Sequence, residues 1–430
     1  MHSFAPEILL ITILSLVILS DALANRLKIP SVFILLISSY IVYTYFKAAV
    51  PIDLKEHFTE VILFCIPLIF MGDALHLHFS DIKKHAFSIF YLAVVAVALS
   101  IAIGASLYYF NVFNGLSLGA YVALFAINMA TDAVSVQSVL SRFEGISHDI
   151  KVLIEGESLG NDATAVIAFF FIGLPWMING TIDPLDATVD ALRVFSLSTL
   201  IGLALGFSFY MIMKLFSNKR GELFAFIVEA YAAYILGEEF HISGILTLIV
   251  AVISTKAFID IDLEEKESKK TKSFFRAIRL NKIKSTSKER LEYIYEMAKE
   301  FGYIASVVIF FALAEMVDFK LLWHYKFEIL IMFLVTTIIR AISMAKFAFI
   351  GSKSELIAPI GTKGWFILTF SGKKGALSII LVHLIPNSFE YKEMFEAITI
   401  GVVILSIFVY GITLWSYFTF FDKKRKSIFK

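Results

Sequence analysis

The sequence predicts an all-α integral membrane protein with about thirteen transmembrane helices, and three observations lead there. Of its 430 residues 58% are hydrophobic and 17% charged, against about 45–50% and about 25% in ordinary soluble domains. The apolar residues fall in blocks of about 17–25, nearly free of charge, the helix length that crosses about 30 Å of hydrocarbon. Basic residues crowd into alternate connecting segments, as they do when Lys and Arg stay on the cytoplasmic side. The formal net charge of +1 says nothing of partners, and no stretch suggests nucleic-acid binding. The lipid bilayer is the partner that the composition implies.

The spans run over about 6–24, 30–46, 59–75, 86–110, 115–139, 151–174, 190–215, 222–238, 242–258, 300–318, 327–350, 361–386 and 395–420. The first lacks the basic n-region and small-residue cleavage site of a signal peptide, so it is expected to be retained. The third contains Cys65, the single cysteine, expected as a small buried packing residue that forms no intrachain disulfide. An outside N-terminus puts Arg26, Lys28, Lys83, Lys84, Arg142, Lys151, Lys214, Lys219, Arg220, Lys346, Lys353 and Lys363 on the inner side. Only a few basic residues, among them Lys47, Lys55 and Arg193, then lie outside. That asymmetry predicts an outside N-terminus and a cytoplasmic C-terminus, and the expected location is a prokaryotic inner or plasma membrane. Residues 1–430 are expected to form one membrane domain: helices 1–9 over about 6–255, a basic cytoplasmic loop over 256–299, helices 10–13 over 300–420, and a basic cytoplasmic tail over 421–430. Within the loop, Glu289 to Glu300 has a helical pattern that leads directly into the tenth span.

Two spans break the apolar pattern at mid-depth, the fifth with Asn128-Met-Ala-Thr131-Asp132 and the twelfth with Ser371-Gly-Lys373-Lys374-Gly375. Non-helical backbone survives there only where it is buried in protein or lines a watery cavity. Interrupted segments at matching positions of two halves point to a transporter's binding site. With helices 1–6 as one repeat and 8–13 as the other, the interrupted helices 5 and 12 are the fifth of each. Their offset of seven is odd, so the halves are inverted repeats and the two discontinuous helices are expected to cross.

An ionisable side chain inside a span is costly and marks function by default. The sixth span carries the densest set, Glu155-Gly-Glu157-Ser158-Leu-Gly-Asn161-Asp162. Ser158 and Asp162 are four apart and share a helix face, as do Glu157 and Asn161 on the neighbouring strip. The first pair offers a carboxylate and a hydroxyl, hard oxygens suited to an alkali cation. Thr131, carbonyls freed by the broken fifth span, and water complete a shell. Asp162, Ser158 and Thr131 are therefore the candidate ligands of a transported ion. Glu157 needs a counter-charge, and Arg340, amid Ile338, Ile339 and Ile342 in the eleventh span, is the candidate partner; a direct relay role for Glu157 is the alternative. Asp132 either orients the crossing or neutralises Lys373 or Lys374. Glu229 and Glu315 are intramembrane acids with no assigned role. Histidines such as His76, His78 and His148 fall at loop edges, as exposed polar residues, with pH sensing as the alternative.

Four elements follow one another along the chain: Thr131-Asp132-Ala-Val, Glu155-Gly-Glu157-Ser158-Leu-Gly-Asn161-Asp162-Ala, His241-Ile-Ser-Gly244-Ile-Leu, and Gly372-Lys-Lys-Gly375-Ala-Leu-Ser378. Leu27-Lys-Ile-Pro30 precedes them. Through these the sequence resembles the monovalent cation/proton antiporter-1 family, the NhaP- and NHE-like exchangers, over roughly residues 6–420. The Gly-Glu-Ser-Leu-x-Asn-Asp element is highly specific and the others support it. The resemblance implies a thirteen-helix fold with a mobile six-helix core domain beside a dimerisation domain, and hence a homodimer. It implies a secondary antiporter exchanging Na⁺ or Li⁺ for H⁺, with no cofactor. By position, Asp162 resembles the family's transported-ion carboxylate, and Asn161 its neutral neighbour in contact with Thr131. Ser158 and Thr131 match coordinating hydroxyls, and Glu157 with Arg340 matches a stabilising pair. An Asn-Asp pair implies electroneutral one-for-one exchange, since one carboxylate neutralises one Na⁺ or one H⁺ at a time.

Three positions depart from the family's pattern. Ala133 stands where Pro usually follows Thr-Asp, so a gentler break is expected. Lys374 stands at an Arg position and keeps the charge without the planar fork. Ala314-Glu315 replaces an apolar ending with Gly. A K⁺/H⁺ antiporter on the same scaffold is the alternative, since selectivity turns on sub-ångström differences in cavity size. An ion channel or membrane sensor would be told apart by flux that needs no counter-ion. An intramembrane enzyme is disfavoured, as neither paired Asp with Gly-x-Gly-Asp nor His-Glu-x-x-His lies in the spans.

Overall fold

The structure, a computed structural model, describes residues 4–27, 31–46, 50, 57–77, 79–132, 136, 146–216, 218–268, 287–349 and 360–422. Among these the regular structure is helical throughout. In chain order it comprises α1 (Ala5–Leu27), α2 (Ser31–Tyr45), α3 (Phe58–His76), α4 (79–110), α5 (Leu118–Ile127), α6 (148–179), α7 (Pro184–Met213) and α8 (Lys219–Glu239). There follow α9 (Gly244–Ser268), α10 (Lys288–Met316), the short α11 (Phe319–His324), α12 (Lys326–Phe349), α13 (Gly361–Phe370), α14 (Ala376–His383) and α15 (392–422).

Among the described residues nine helical stretches are long and apolar enough to cross a membrane. Each span expected from the sequence has a helical counterpart, but α2 and α5 are shorter apolar helices. Helix α8 is diluted by Glu222, Glu229, Glu238 and Glu239, and the twelfth span is divided into α13 and α14. Only 22% of the apolar windows of α1 and α7 is buried, and Leu10, Ile11, Ile18, Leu192 and Leu200 point outward. Such faces need hydrocarbon rather than water around them. The chain is a multi-pass integral membrane protein.

Some boundaries differ from the sequence reading. Helix α4 begins at Phe79, because the polar turns holding Asp81, Lys83, Lys84 and His85 are already helical ahead of the apolar run. Helix α9 continues to Ser268, so the start of the loop placed at 256–299 is helix, whereas α10 starts at Lys288 and runs from Glu289 into the tenth span as the sequence pattern led one to expect. Lys256 is no loop residue: it is 1% exposed and donates to Leu75 O and, at 2.7 Å, to Leu77 O. Its ammonium also lies 4.3 Å from the Tyr295 ring centroid. Carbonyls at a helix C-terminus lack intrahelical donors, and a buried ammonium supplies them to the end of α3. Cys65 is buried, as expected. Lys28–Pro30, Lys47, Lys55, Ala133, Arg142, Lys353, His78, the rest of the basic loop and the tail from 423 lie outside the described residues, as does the side chain of His76.

The chain divides into two compact units. The second, Leu63–Lys84 with Thr188–Ala305, is built on α7, α8, α9 and most of α10, tied by Arg290 to Glu222 at 2.7 Å and Lys214 to Asp262 at 3.5 Å. The first holds Met1–Ile62, His85–Ala187 and Ser306–Lys430, and includes both helix interruptions. Three of its helices contain π-helical turns, at Tyr91–Val95 in α4, Phe169–Gly173 in α6 and Ser406–Tyr410 in α15. Each such turn inserts a residue and re-aims the side chains that follow, a feature common near functional sites.

Helices α4 and α6 approach closely through two glycines one turn apart. A Cβ at Gly156 would lie 2.7 Å from Ile89 Cδ1, and one at Gly160 would lie 2.5 Å from Ala93 Cβ. Small residues at this spacing let membrane helices pack backbone to backbone. Gly160→Leu should therefore lower the thermal midpoint of the purified protein, at a cost of about 1–3 kcal/mol or more. An unchanged midpoint would contradict the close approach.

Candidate functional site

Helix α5 ends at Ile127, and the backbone is irregular from 128 to 132. The end is secured by Asn128, whose Nδ2 donates to Leu124 O at 2.9 Å and reaches Thr399 Oγ1 on α15 at 3.4 Å. Residues 371–375, between α13 and α14, are irregular as well. The two interruptions touch, for the Asp132 N–H donates to Lys373 O at 2.9 Å. Gly375 permits this, because a Cβ there would lie 2.7 Å from that of Asp132.

The polar strip of α6 meets the end of α5 at Thr131. The Thr131 N–H donates to Asp162 Oδ1 at 3.0 Å. Ser158 Oγ donates to Thr131 O at 2.8 Å and lies 3.3 Å from Thr131 Oγ1. Asn161 Nδ2 donates to Thr131 Oγ1 at 2.8 Å and to Glu157 Oε1 at 3.1 Å. All five residues are buried, with Asp162 6% exposed. The cluster thus gathers a carboxylate, two hydroxyls and a carbonyl. These are hard oxygens that suit a small cation, and a proton can compete for the carboxylate.

Behind the cluster Glu157 receives both Nη atoms of Arg340, at 2.6 and 2.7 Å. Arg340 also donates to Leu368 O at 2.9 Å and to Thr369 O at 3.1 Å. Those are carbonyls of the last turns of α13, where the helix leaves acceptors unmatched. Gly372 makes room, since a Cβ there would collide with the guanidinium. The flanking residues sort as a membrane helix requires: Ile339 is buried while Ile338 and Ile342 are exposed.

The two lysines part company. Lys373 is attracted by Asp132. Lys374 donates its backbone N–H to Ser406 Oγ at 2.9 Å, and is attracted by Glu157 and Asp162 and repelled by Arg340. It shares a small cavity with Glu157, Asn161, Arg340, Thr336 and Ser343, with room for about one water molecule. Asn161 Oδ1 is buried there without a protein partner among the described residues.

The run Gly156-Glu157-Ser158-Leu159-Gly160 has the Gly-x-Ser-x-Gly spelling of serine hydrolases. That motif works on a sharp strand-to-helix turn, whereas here it lies inside a continuous helix and Ser158 is engaged with Thr131. Three further sequence candidates have the following places. Glu229 belongs to the second unit, Glu315 is half-buried, and His148 is exposed in the first turn of α6. One pair with a buried histidine escaped the sequence reading. His85 on α4 is 5% exposed and its Nε2 lies 2.9 Å from Asp149 Oδ1, pinning the first turn of α6. Nothing in the sequence sets either residue apart from ordinary helix-end polar residues.

Two helix breaks that meet beside a buried set of hard oxygens, in a polytopic membrane protein, define a secondary transporter fold. The family model described as the transmembrane sodium/hydrogen exchanger matches residues 10–419, and the chain belongs to that family. It is 27% identical over 373 residues to the Na⁺/H⁺ antiporter ApNhaP of Aphanothece halophytica, covering 85% of this chain and 66% of that one. It is 26% identical over 308 residues to the Na⁺/H⁺ exchanger beta of Oncorhynchus mykiss, covering 70% of this chain but 37% of the relative. The chain thus matches just under two thirds of the first relative's length and well under half of the second's. The Na⁺/H⁺ antiporter NhaH of Halobacillus aidingensis is 24% identical over 433 residues, with 96% of both chains covered. Among solved structures, the sodium proton antiporter MjNhaP1 of Methanocaldococcus jannaschii superposes with a TM-score of 0.75 at 18% identity, covering 96% of each chain. At that identity the likeness establishes the fold. The family resemblance read from the motifs is borne out.

Breaking a buried pair by removing one partner typically costs about 3–5 kcal/mol. Glu157→Leu and Arg340→Met should each lower the thermal midpoint strongly, and the double variant should cost less than the two added, because neither charge is left alone. Strict additivity would contradict the pairing.

Proposed function

We propose that this chain is a secondary active antiporter that exchanges Na⁺ or Li⁺ for H⁺ by competition at Asp162. The observation that carries the proposal is the Asp162 carboxylate held at 3.0 Å by the Thr131 N–H, at a helix break and beside the Ser158 and Thr131 oxygens. Asp162, Ser158 and Thr131 coordinate the transported cation, with Asn161 as the neutral neighbour. The ion is substrate, and no cofactor enters the cycle. A carboxylate carrying either ion is neutral, whereas the bare carboxylate is costly to move through the membrane interior. Only the loaded site changes sides, so coupling needs no ATP. With Asn161 rather than a second acid beside Asp162, one charge enters for each that leaves, and exchange is electroneutral. Glu157, Arg340, Asp132, Lys373 and Lys374 keep the breaks in register.

Family membership and the names of the relatives support this reading. It extends to thirteen spans in one membrane domain, inverted repeats in which the broken helices cross, and alternating access by movement of the part that carries the breaks. It extends further to a homodimer in a prokaryotic plasma membrane, with an outside N-terminus, a cytoplasmic C-terminus and a role in pH homeostasis.

Asp162→Asn should abolish Na⁺-driven proton movement in proteoliposomes while leaving the protein inserted and folded. Exchange at the wild-type rate by that variant would refute the site. Ser158→Ala should raise the Na⁺ concentration for half-maximal rate about tenfold, the worth of one hydrogen-bond-sized contact. The same vesicles, given Na⁺, Li⁺ or K⁺ with and without an imposed voltage, test the rest. Rates independent of voltage with Na⁺ or Li⁺ are expected. Faster exchange with K⁺ would make the chain a K⁺/H⁺ antiporter, and voltage-driven flux without counter-ion would make it a channel.

A further inference from the structure

Glu229 lies on α8 in the second unit, 0% exposed. Its Oε1 is 2.5 Å from Thr255 Oγ1 on α9. That same hydroxyl oxygen is 2.9 Å from the Gly206 carbonyl oxygen on α7. Glu229 Oε2 is buried with no partner among the described residues. Charge does not come to its aid. On its own helix, Glu222 is taken by Arg290 at 2.7 Å and Glu238 accepts from the Gly244 N–H at 3.2 Å. On α9 the neighbouring Lys256 is committed to Leu75 O and Leu77 O. On α7 Lys214 pairs with Asp262 at 3.5 Å. Among the described residues no basic side chain pairs with Glu229.

Counting hydrogens decides the state of this group. Two oxygens stay at 2.5 or 2.9 Å only with a hydrogen between them, and two such contacts need two hydrogens. A threonine hydroxyl supplies one. The Gly206 carbonyl has none to give, so the second comes from Glu229. An ionised Glu229 would leave one of the contacts as bare oxygen against oxygen, and a charged Oε2 buried with no donor, which costs far more than a neutral carbonyl oxygen in the same place.

We propose that Glu229 is a proton-binding site in the second unit. Its carboxylic acid donates to Thr255 Oγ1, and Thr255 donates to Gly206 O, so that one retained proton completes a relay joining α8, α9 and α7. This proton is distinct from the one exchanged at Asp162. In an unfolded chain the same carboxyl ionises at neutral pH. Unfolding then releases a proton, and the folded form loses stability as pH rises.

The test compares the full-length wild type with Glu229→Gln and Thr255→Val. A glutamine amide donates to Thr255 as the acid does, without a titratable hydrogen. Infrared difference spectra, wild type minus Glu229→Gln near neutral pH, should show the C=O stretch of a protonated carboxyl that moves in D₂O. Thr255→Val, which removes the acceptor, should shift that band in a protein that keeps Glu229. Between about pH 6 and about pH 8 the wild-type thermal midpoint should fall by several degrees relative to that of Glu229→Gln. A carboxylate band alone, or a band that Thr255→Val leaves unmoved, would overturn the proposal. Parallel pH profiles would do the same, and so would a Na⁺-dependent rise in the wild-type midpoint that Glu229→Gln lacks, since a metal ion would then hold the place of the proton.

Discussion

A guanidinium in the middle of a membrane helix has one charge and five N–H groups to place. Arg340 places four of them, on both oxygens of Glu157 and on the carbonyls of Leu368 and Thr369. That arrangement fixes α6 to α12 and secures the end of α13 at the same time. Its influence passes on through Glu157, whose Oε1 accepts from Asn161 Nδ2. With one hydrogen of that amide turned to Glu157 and the other to Thr131 Oγ1, its orientation is set. Thr131 in turn presents its N–H to Asp162. The position of the central carboxylate is therefore inherited, contact by contact, from a charge pair that does not itself include it. An ion pair buried this deeply contributes little net stability against an apolar replacement. Its value lies in geometry.

The interruptions in the helices follow the same economy. Ending a helix inside a membrane leaves backbone donors and acceptors without partners, at several kcal/mol each in hydrocarbon as an order of magnitude. Here those groups are met by side chains and by the opposite break. Asn128 closes the end of α5, Ser406 meets the Lys374 N–H, and Asp132 and Lys373 share a backbone hydrogen bond. The broken segments are thus furnished with partners from α6, α12 and α15, which is why irregular backbone persists at this depth.

Hydropathy made the helical fold legible, because hydrocarbon imposes length and composition on every span. The candidate cluster was legible for the complementary reason: Glu157, Asp162 and Arg340 stand out against apolar runs that penalise them. What the sequence could not supply was contact. It left Asp132 with two candidate partners, and Lys373 is the one whose carbonyl accepts the Asp132 N–H and whose charge Asp132 attracts. It put Lys256 in a solvated loop, since a lysine at the end of an apolar run looks like the end of a span. Its ammonium is instead enclosed, and α9 runs on for three more turns. Glu229 was visible as an odd acid, but its relation to Thr255 and Gly206 depends on the packing of three helices. His85 gave no sign at all, because burial of a helix-end residue is a tertiary fact.

The hold of Lys256 on the last carbonyls of α3 has a bearing on how the chain is made. The acceptors at Leu75 and Leu77 precede their donor by 181 and 179 residues. A ribosome delivering helices one after another into the bilayer releases the end of α3 long before the ammonium that completes it exists. Until α9 is made, those two carbonyls lack the ammonium that meets them in the folded chain. This contact of the second unit therefore joins a segment from the first part of the chain to one made past its midpoint.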